Sequence, residues 1–103
     1  MKVDDGLQLL KGLEHLLERQ IELAGRGSFI EIQRLADECE PLVAEIKKAG
    51  VLEKPEHKPQ RQRLAKLYKD LQLTLSTQKD EATEQLKSVR KGKKTLAIYR
   101  SNI

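Results

Sequence analysis

The apolar positions of this chain fall into three runs of helical period, separated by glycine and proline. The first run is Leu9, Leu10, Leu13, Leu16, Leu17, Ile21 and Ala24, widened by Leu7 and Leu23, in steps of three and four residues. It predicts a helix over residues 5–24, with Asp4 or Asp5 at the start, where an acid complements the helix dipole. Gly12 lies inside it at a cost of about 1 kcal/mol relative to alanine. A close helix crossing and a tolerated weakness both account for that glycine. The second run, Ile32, Leu35, Cys39, Leu42 and Ile46 flanked by Ala36 and Val43, predicts a helix over residues 29–49.

Between these runs, Gly25-Arg26-Gly27 reads as a turn, with Gly25 free to take the left-handed geometry that follows a helix end. Ser28-Phe29-Ile30-Glu31 has the spacing of a capping box. So short a turn sets the two helices antiparallel. Pro41 predicts a kink or local break in the second helix, because its ring cannot follow a straight helix past the carbonyl of Asp37. Gly50 is a natural stop, with Lys47 and Lys48 suited to the last turn.

Residues 51–59, with Pro55 and Pro59 among charged neighbours, read as an extended polar linker in which Val51 and Leu52 can close over the bundle end. From Gln60 to Lys91 there is neither glycine nor proline. This stretch predicts one long helix, a rod of roughly 48 Å against roughly 30 Å for each of the first two. Its apolar residues include Leu64, Leu71, Tyr68, Leu75, Ala82 and Val89, several of them seven residues apart, as in a coiled-coil seam. The excess length would overhang the hairpin over residues 80–91 and leave Ala82, Leu86 and Val89 without an intramolecular partner. Leu75, Ala82, Leu86 and Val89 are therefore the expected apolar contacts for a partner, with Lys87, Arg90 and Lys91 supplying electrostatic steering. Gly92 is expected to end or kink the helix, leaving residues 92–103 as a flexible basic tail free to fold back, to pair with another copy or to order on a partner. The expected architecture is a single all-α domain over residues 1–103, an antiparallel three-helix bundle made of a hairpin and one long coiled-coil-like helix.

Composition sharpens this picture mainly by exclusion. Charged residues make up 35% of the chain and aromatics 3%, too polar for a large mixed core and too poor in β-branched and aromatic runs for a sheet. The net charge of +4 is unevenly spread: residues 1–56 carry 12 acids and 8 bases, residues 57–103 carry 4 acids and 12 bases. That asymmetry suits a basic helix packed on an acidic hairpin. It also raises the question of nucleic acid, but only Tyr99 offers a stacking ring near the basic cluster and no nucleic-acid module is present. With one cysteine, Cys39, there is no internal disulfide and no cysteine metal cluster, and Cys39 itself falls on the apolar seam. His15 and His57 have no second ligand at metal-binding spacing. No Gly-rich phosphate loop or nucleophile–base pair appears, so neither an enzyme nor a cofactor is expected. No apolar run approaches the length of a membrane span, and acids stand where a secretory signal would be apolar; a cytoplasmic protein is expected.

The order of features resembles the FlgN/FliT type of flagellar export chaperone. The resemblance rests on a leucine-rich first helix ending in Ile21-Glu22-Leu23-Ala24-Gly25-Arg26-Gly27, and on a second helix with Leu35, acids at Asp37, Glu38 and Glu40, then Leu42, Val43 and Ile46. It is carried furthest by the segment Arg90-Lys91-Gly92-Lys93-Lys94-Thr95-Leu96-Ala97-Ile98-Tyr99-Arg100, which is similar to the ends of FlgN-like chains. The resemblance implies a cytoplasmic chaperone that binds the amphipathic C-terminal helices of hook-associated, filament-cap or related subunits and delivers them to the flagellar type III export apparatus. The alternative from the residues alone is a coiled-coil scaffold that self-associates as a homodimer through the same overhang. A nucleic-acid accessory role for the basic tail ranks below both.

Overall fold

Helix α1 spans Val3–Arg26 and helix α2 spans Phe29–Ala49. Two short 3-10 turns, Val51–Glu53 and Pro55–His57, lead into α3, Lys58–Ser76, and the chain ends in α4, Thr83–Arg100. This computed structural model describes residues 3–77 and 83–100. The fold is all-α, with no strand among the described residues.

The first hairpin follows the apolar periodicity closely. Leu10, Leu13, Leu17, Leu23 and Ala24 of α1 are buried against Ile32, Ala36, Cys39 and Ile46 of α2, with Leu9, Leu16, Ile21, Leu35, Leu42 and Val43 packed at the margins. The turn between them closes differently from the expected way. Gly27, not Gly25, takes the left-handed conformation, at φ 72°. Its N–H donates to the Ala24 carbonyl at 3.1 Å, and the Ser28 N–H donates to the Leu23 carbonyl at 3.1 Å. These are the paired bonds of a Schellman motif, which satisfy carbonyls that the helix end leaves open. The Ser28–Glu31 capping box does not form: the Ser28 side chain makes no capping bond, and its backbone carbonyl accepts the Ile32 N–H instead. Pro41 does not break α2, which is helical from Phe29 to Ala49; the proline is exposed, where the carbonyl it frees can reach water. Gly50 ends α2 as expected, at φ 65° with its N–H on the Ile46 and Lys47 carbonyls.

The second half of the chain departs from the expected single rod. The stretch 60–91 is not one helix. α3 ends at Ser76, and α4 packs back along it. The longest extent of the molecule is 40 Å, shorter than the roughly 48 Å of a continuous helix of that length. Lys93 donates to the Gln72 side chain at 2.6 Å, and the Tyr68 ring lies on the backbone of Gly92. The chain between Ser76 and Thr83 is too short to run back along the length of α3, so α3 and α4 form an antiparallel hairpin. Residues 92–100 are therefore not a flexible tail: α4 runs through Gly92 to Arg100, and Leu96 is buried. Residues 51–59 are not extended, but Val51 and Leu52 do close over the end of the bundle. Val51, Leu52 and His57 are buried in the two 3-10 turns, and Pro59 sits in the first turn of α3, where its missing N–H costs nothing.

The hairpins assemble with α1 beside α3 and α2 beside α4. Glu14 pairs with Arg63 at 3.5 Å, and Gly6 lies against Val51 and His57, so α1 and α3 run in the same direction. The connection at residues 50–57 therefore crosses the end of the bundle diagonally. Arg61 fastens it. Its guanidinium donates to the Leu52 carbonyl and, at 3.2 Å, to the Lys54 carbonyl, while His57 Nδ1 donates to the Val51 carbonyl at 2.9 Å.

A cleft between α2 and α4

Among the described residues, α2 and α4 meet more sparsely than the other paired helices. The facing positions are small: Ala36, Cys39 and Ala44 on α2, Gly92 and Thr95 on α4. Small side chains on both walls leave a cavity of about 310 Å³, open on one side. Leu17 and Gln20 of α1, with Tyr68 and Leu71 of α3, form its floor, so all four helices contribute. Val43 and Val89 complete the apolar walls, and Glu40, Lys47 and Lys91 stand around the cavity.

The floor is uncharged at neutral pH. Burial pushes the Cys39 thiol up to about 11; a hydrogen bond donated by Gln20 opposes that shift and nearby Glu38 adds to it. The Gln20 Nε2 to Cys39 Sγ distance is 3.3 Å. A thiol held protonated in this way is neither a nucleophile nor a metal ligand near neutrality. Burial likewise pushes the Tyr68 phenol well above its usual range, with Cys39 contributing. Cys39 is thus the buried core residue that its place on the seam implies. Gln20 was not legible as part of the site. A glutamine at an apolar-stripe position two turns before a helix end was the available signal, and it is only 3% exposed.

The expected partner surface is not assembled. Leu75 is fully buried and Val89 is 3% exposed, so both belong to the core and neither projects from an overhang. Leu86 is half-buried and packs on the core, while Ala82 lies outside the described residues. Lys87, Arg90 and Lys91 are exposed on α4. Of the expected group, only Val89 and Lys91 line the cleft. The α2 side of the cleft was read as core or as solvated surface, because nothing in one helix's sequence shows that a neighbour will stand off from it.

No family model, curated protein or solved structure matches this chain. Among the described residues no group of three metal-ligating side chains comes together, and no helix is long and apolar enough to cross a membrane. His15 is exposed. His57 is buried, but its Nδ1 is committed to the Val51 carbonyl, a bond that closes the end of the bundle.

Proposed function

We propose that this chain is a non-enzymatic cytoplasmic chaperone that holds an amphipathic helix of a partner protein in the α2/α4 cleft. In line with the resemblance to FlgN/FliT-type proteins, the partner is an export substrate such as a hook-associated or filament-cap subunit, delivered to the flagellar type III apparatus. The observation that supports this reading is the cleft itself: a neutral, largely apolar cavity lined by all four helices, with small residues on two of them and charged side chains around it. Pockets of this size and character are typical binding sites. Two parallel helices standing apart offer the groove into which a third amphipathic helix lays its apolar face. Each large aliphatic side chain that enters would contribute about 1.5–3 kcal/mol from burial, less the cost of ordering the partner.

This replaces the overhang mechanism with a groove mechanism. Leu75 and Val89 face the protein's own core, so neither is offered to a second copy of the chain. The test is titration of the full chain with peptides corresponding to the C-terminal helices of hook-associated and filament-cap subunits, followed by calorimetry. Binding at micromolar or tighter affinity, lost in Ala44→Phe, is expected. Ala44 is exposed on α2, so the substitution fills the mouth of the cleft without disturbing the core. Undiminished binding by Ala44→Phe would place the partner elsewhere on the surface.

A further inference from the structure

We infer that the outer face of the α3–α4 hairpin is a docking surface for an anionic lipid membrane, which the protein meets side-on without crossing it. The face carries Lys66, Lys69 and Leu73 on α3 with Arg90 and Lys94 on α4, all exposed. Helical spacing aligns them. On α3 the buried line is Leu64, Tyr68, Leu71 and Leu75, and Lys66, Lys69 and Leu73 fall on the opposite side of the helix. On α4, Val89 and Leu96 are buried, and Arg90 and Lys94 fall away from them. Tyr68 meets Gly92 and Gln72 meets Lys93, so residues 66–73 lie beside residues 87–94. Lys69 is one turn back from Gln72 and Arg90 one turn back from Lys93, each on the outward side of that seam. With helix axes about 10 Å apart, the two stripes make one continuous face.

Among the described residues no acid stands in this face. Asp70, seven residues after Arg63, shares its side of α3, and Arg63 reaches α1 to pair with Glu14, so Asp70 is turned toward α1. None of the four cations is ion-paired among the described residues. Residues 1–56 carry 12 of the chain's 16 acids, so the opposite hairpin is the acidic one. A negative surface therefore orients the molecule with α3 and α4 toward it. Leu73 selects the kind of surface. It is 57% exposed and lies one turn from Lys69. A lone exposed leucine is ordinary, but one set among cations leaves water only where a partner has apolar depth beneath its negative charge. A lipid interface has both. A nucleic-acid backbone gives a leucine nothing, and among the described residues no aromatic ring lies on this face for a base to stack on. Three of the four cations are lysines, point charges suited to a layer of headgroups more than to paired recognition of one carboxylate. None of the five residues lines the cleft, so docking leaves the cleft open and does not depend on what it holds.

The experiment is flotation of the full chain with vesicles of phosphatidylcholine alone and of phosphatidylcholine mixed with phosphatidylglycerol. Binding is expected to the mixed vesicles only, and to weaken as salt shortens the range of the attraction. Each cation removed from the face should weaken it about fivefold, so Lys66→Gln with Lys69→Gln should bind far less. Lys11→Gln with Lys48→Gln makes the same change in net charge on exposed positions of α1 and α2 and should bind as the parent does. Leu73→Ser, with every charge kept, should weaken binding about fivefold. All three variants alter exposed side chains, and unchanged helical circular dichroism verifies their folding. No binding to the mixed vesicles, or equal loss in the two lysine pairs, would overturn the inference, the second by reducing it to net charge. Binding indifferent to Leu73→Ser would overturn the choice of a membrane, and displacement from the vesicles by duplex DNA would then make nucleic acid the occupant. None of these outcomes bears on the helix-holding reading, which the peptide titration tests separately.

Discussion

α1 and α2 meet along a continuous face of leucine and isoleucine; α3 and α4 meet around a tyrosine ring lying on a glycine. The glycine in each hairpin shows the difference. A methyl group on Gly12 would find Leu42 Cδ2 at 3.6 Å, an ordinary contact. A methyl on Gly92 would overlap the Tyr68 ring, which is buried and cannot swing away. The first hairpin therefore gains nothing from its glycine, whereas the second depends on one for the approach of its helices. Among the described side chains of α4, the buried anchors are Val89 and Leu96, with Leu86 partly buried beside them. A hairpin secured by many interchangeable aliphatic contacts tolerates change better than one secured by a single close approach.

Four substitutions or conditions would break or sharpen that contrast. The largest effect is expected from Val89→Asp, which sets an unpaired carboxylate in the core and should cost about 3 kcal/mol or more. Hydrogen exchange should then show α4 amides losing protection while those of α1 and α2 keep theirs. Equal loss in both hairpins would mean they are not separable units.

Next comes alkaline pH, which acts where the hairpins face each other at Cys39 and Tyr68. Folding raises the thiol's pKa from 9.0 to about 11, so the folded state keeps a proton that the unfolded chain releases. The associated stability is complete below about pH 9 and is lost as pH rises through 11, a change on the order of 2 kcal/mol. Urea denaturation at pH 8 and pH 11 should show a smaller loss in Cys39→Ala than in the parent. An identical loss would remove the thiol from the account.

Gly92→Ala should destabilise by about 1–3 kcal/mol through overpacking against Tyr68, and Tyr68→Leu should relieve much of that cost in the double variant. Additive effects would show that the ring and the glycine do not constrain each other. The smallest effect has the opposite sign: Gly12→Ala should stabilise by about 0.5–1 kcal/mol, read as a rise in the urea midpoint. A fall would indicate a tighter α1–α2 crossing than the Leu42 contact implies.

The same contrast explains what could be read from the chain. The first hairpin was legible because its apolar period, its glycines and its helix stop are local signals that agree with its packing. The break after Ser76 carried no glycine or proline to mark it, and the seven-residue spacing from Leu75 to Val89 mimicked one continuous seam. Both residues do face inward, but from two helices that fold onto each other. A weaker signal was present in the hydroxyls. Thr74 donates to the Asp70 carbonyl at 2.9 Å, Ser76 to that of Leu73 at 2.8 Å, and Thr77 to that of Thr74 at 2.7 Å. Such bonds compete with the helix's own carbonyl acceptors and favour its ending. The cleft was less legible still, because it exists only where small residues on two helices far apart in the chain come opposite each other. Lys47 was read as a helix-end cation and Ala36 as a flank of the core; each is also part of the site.

The diagonal connection fastened by Arg61 has a consequence for the order in which the molecule is made. α1 is covered on one side by α2 and on the other by α3, which arrives only after the chain has crossed the end of the hairpin. During synthesis at about 5–20 residues per second, the first hairpin is complete for a few seconds before the Leu64–Leu75 face exists to cover it. In that interval the nascent chain exposes a ready apolar surface to the cell's folding machinery.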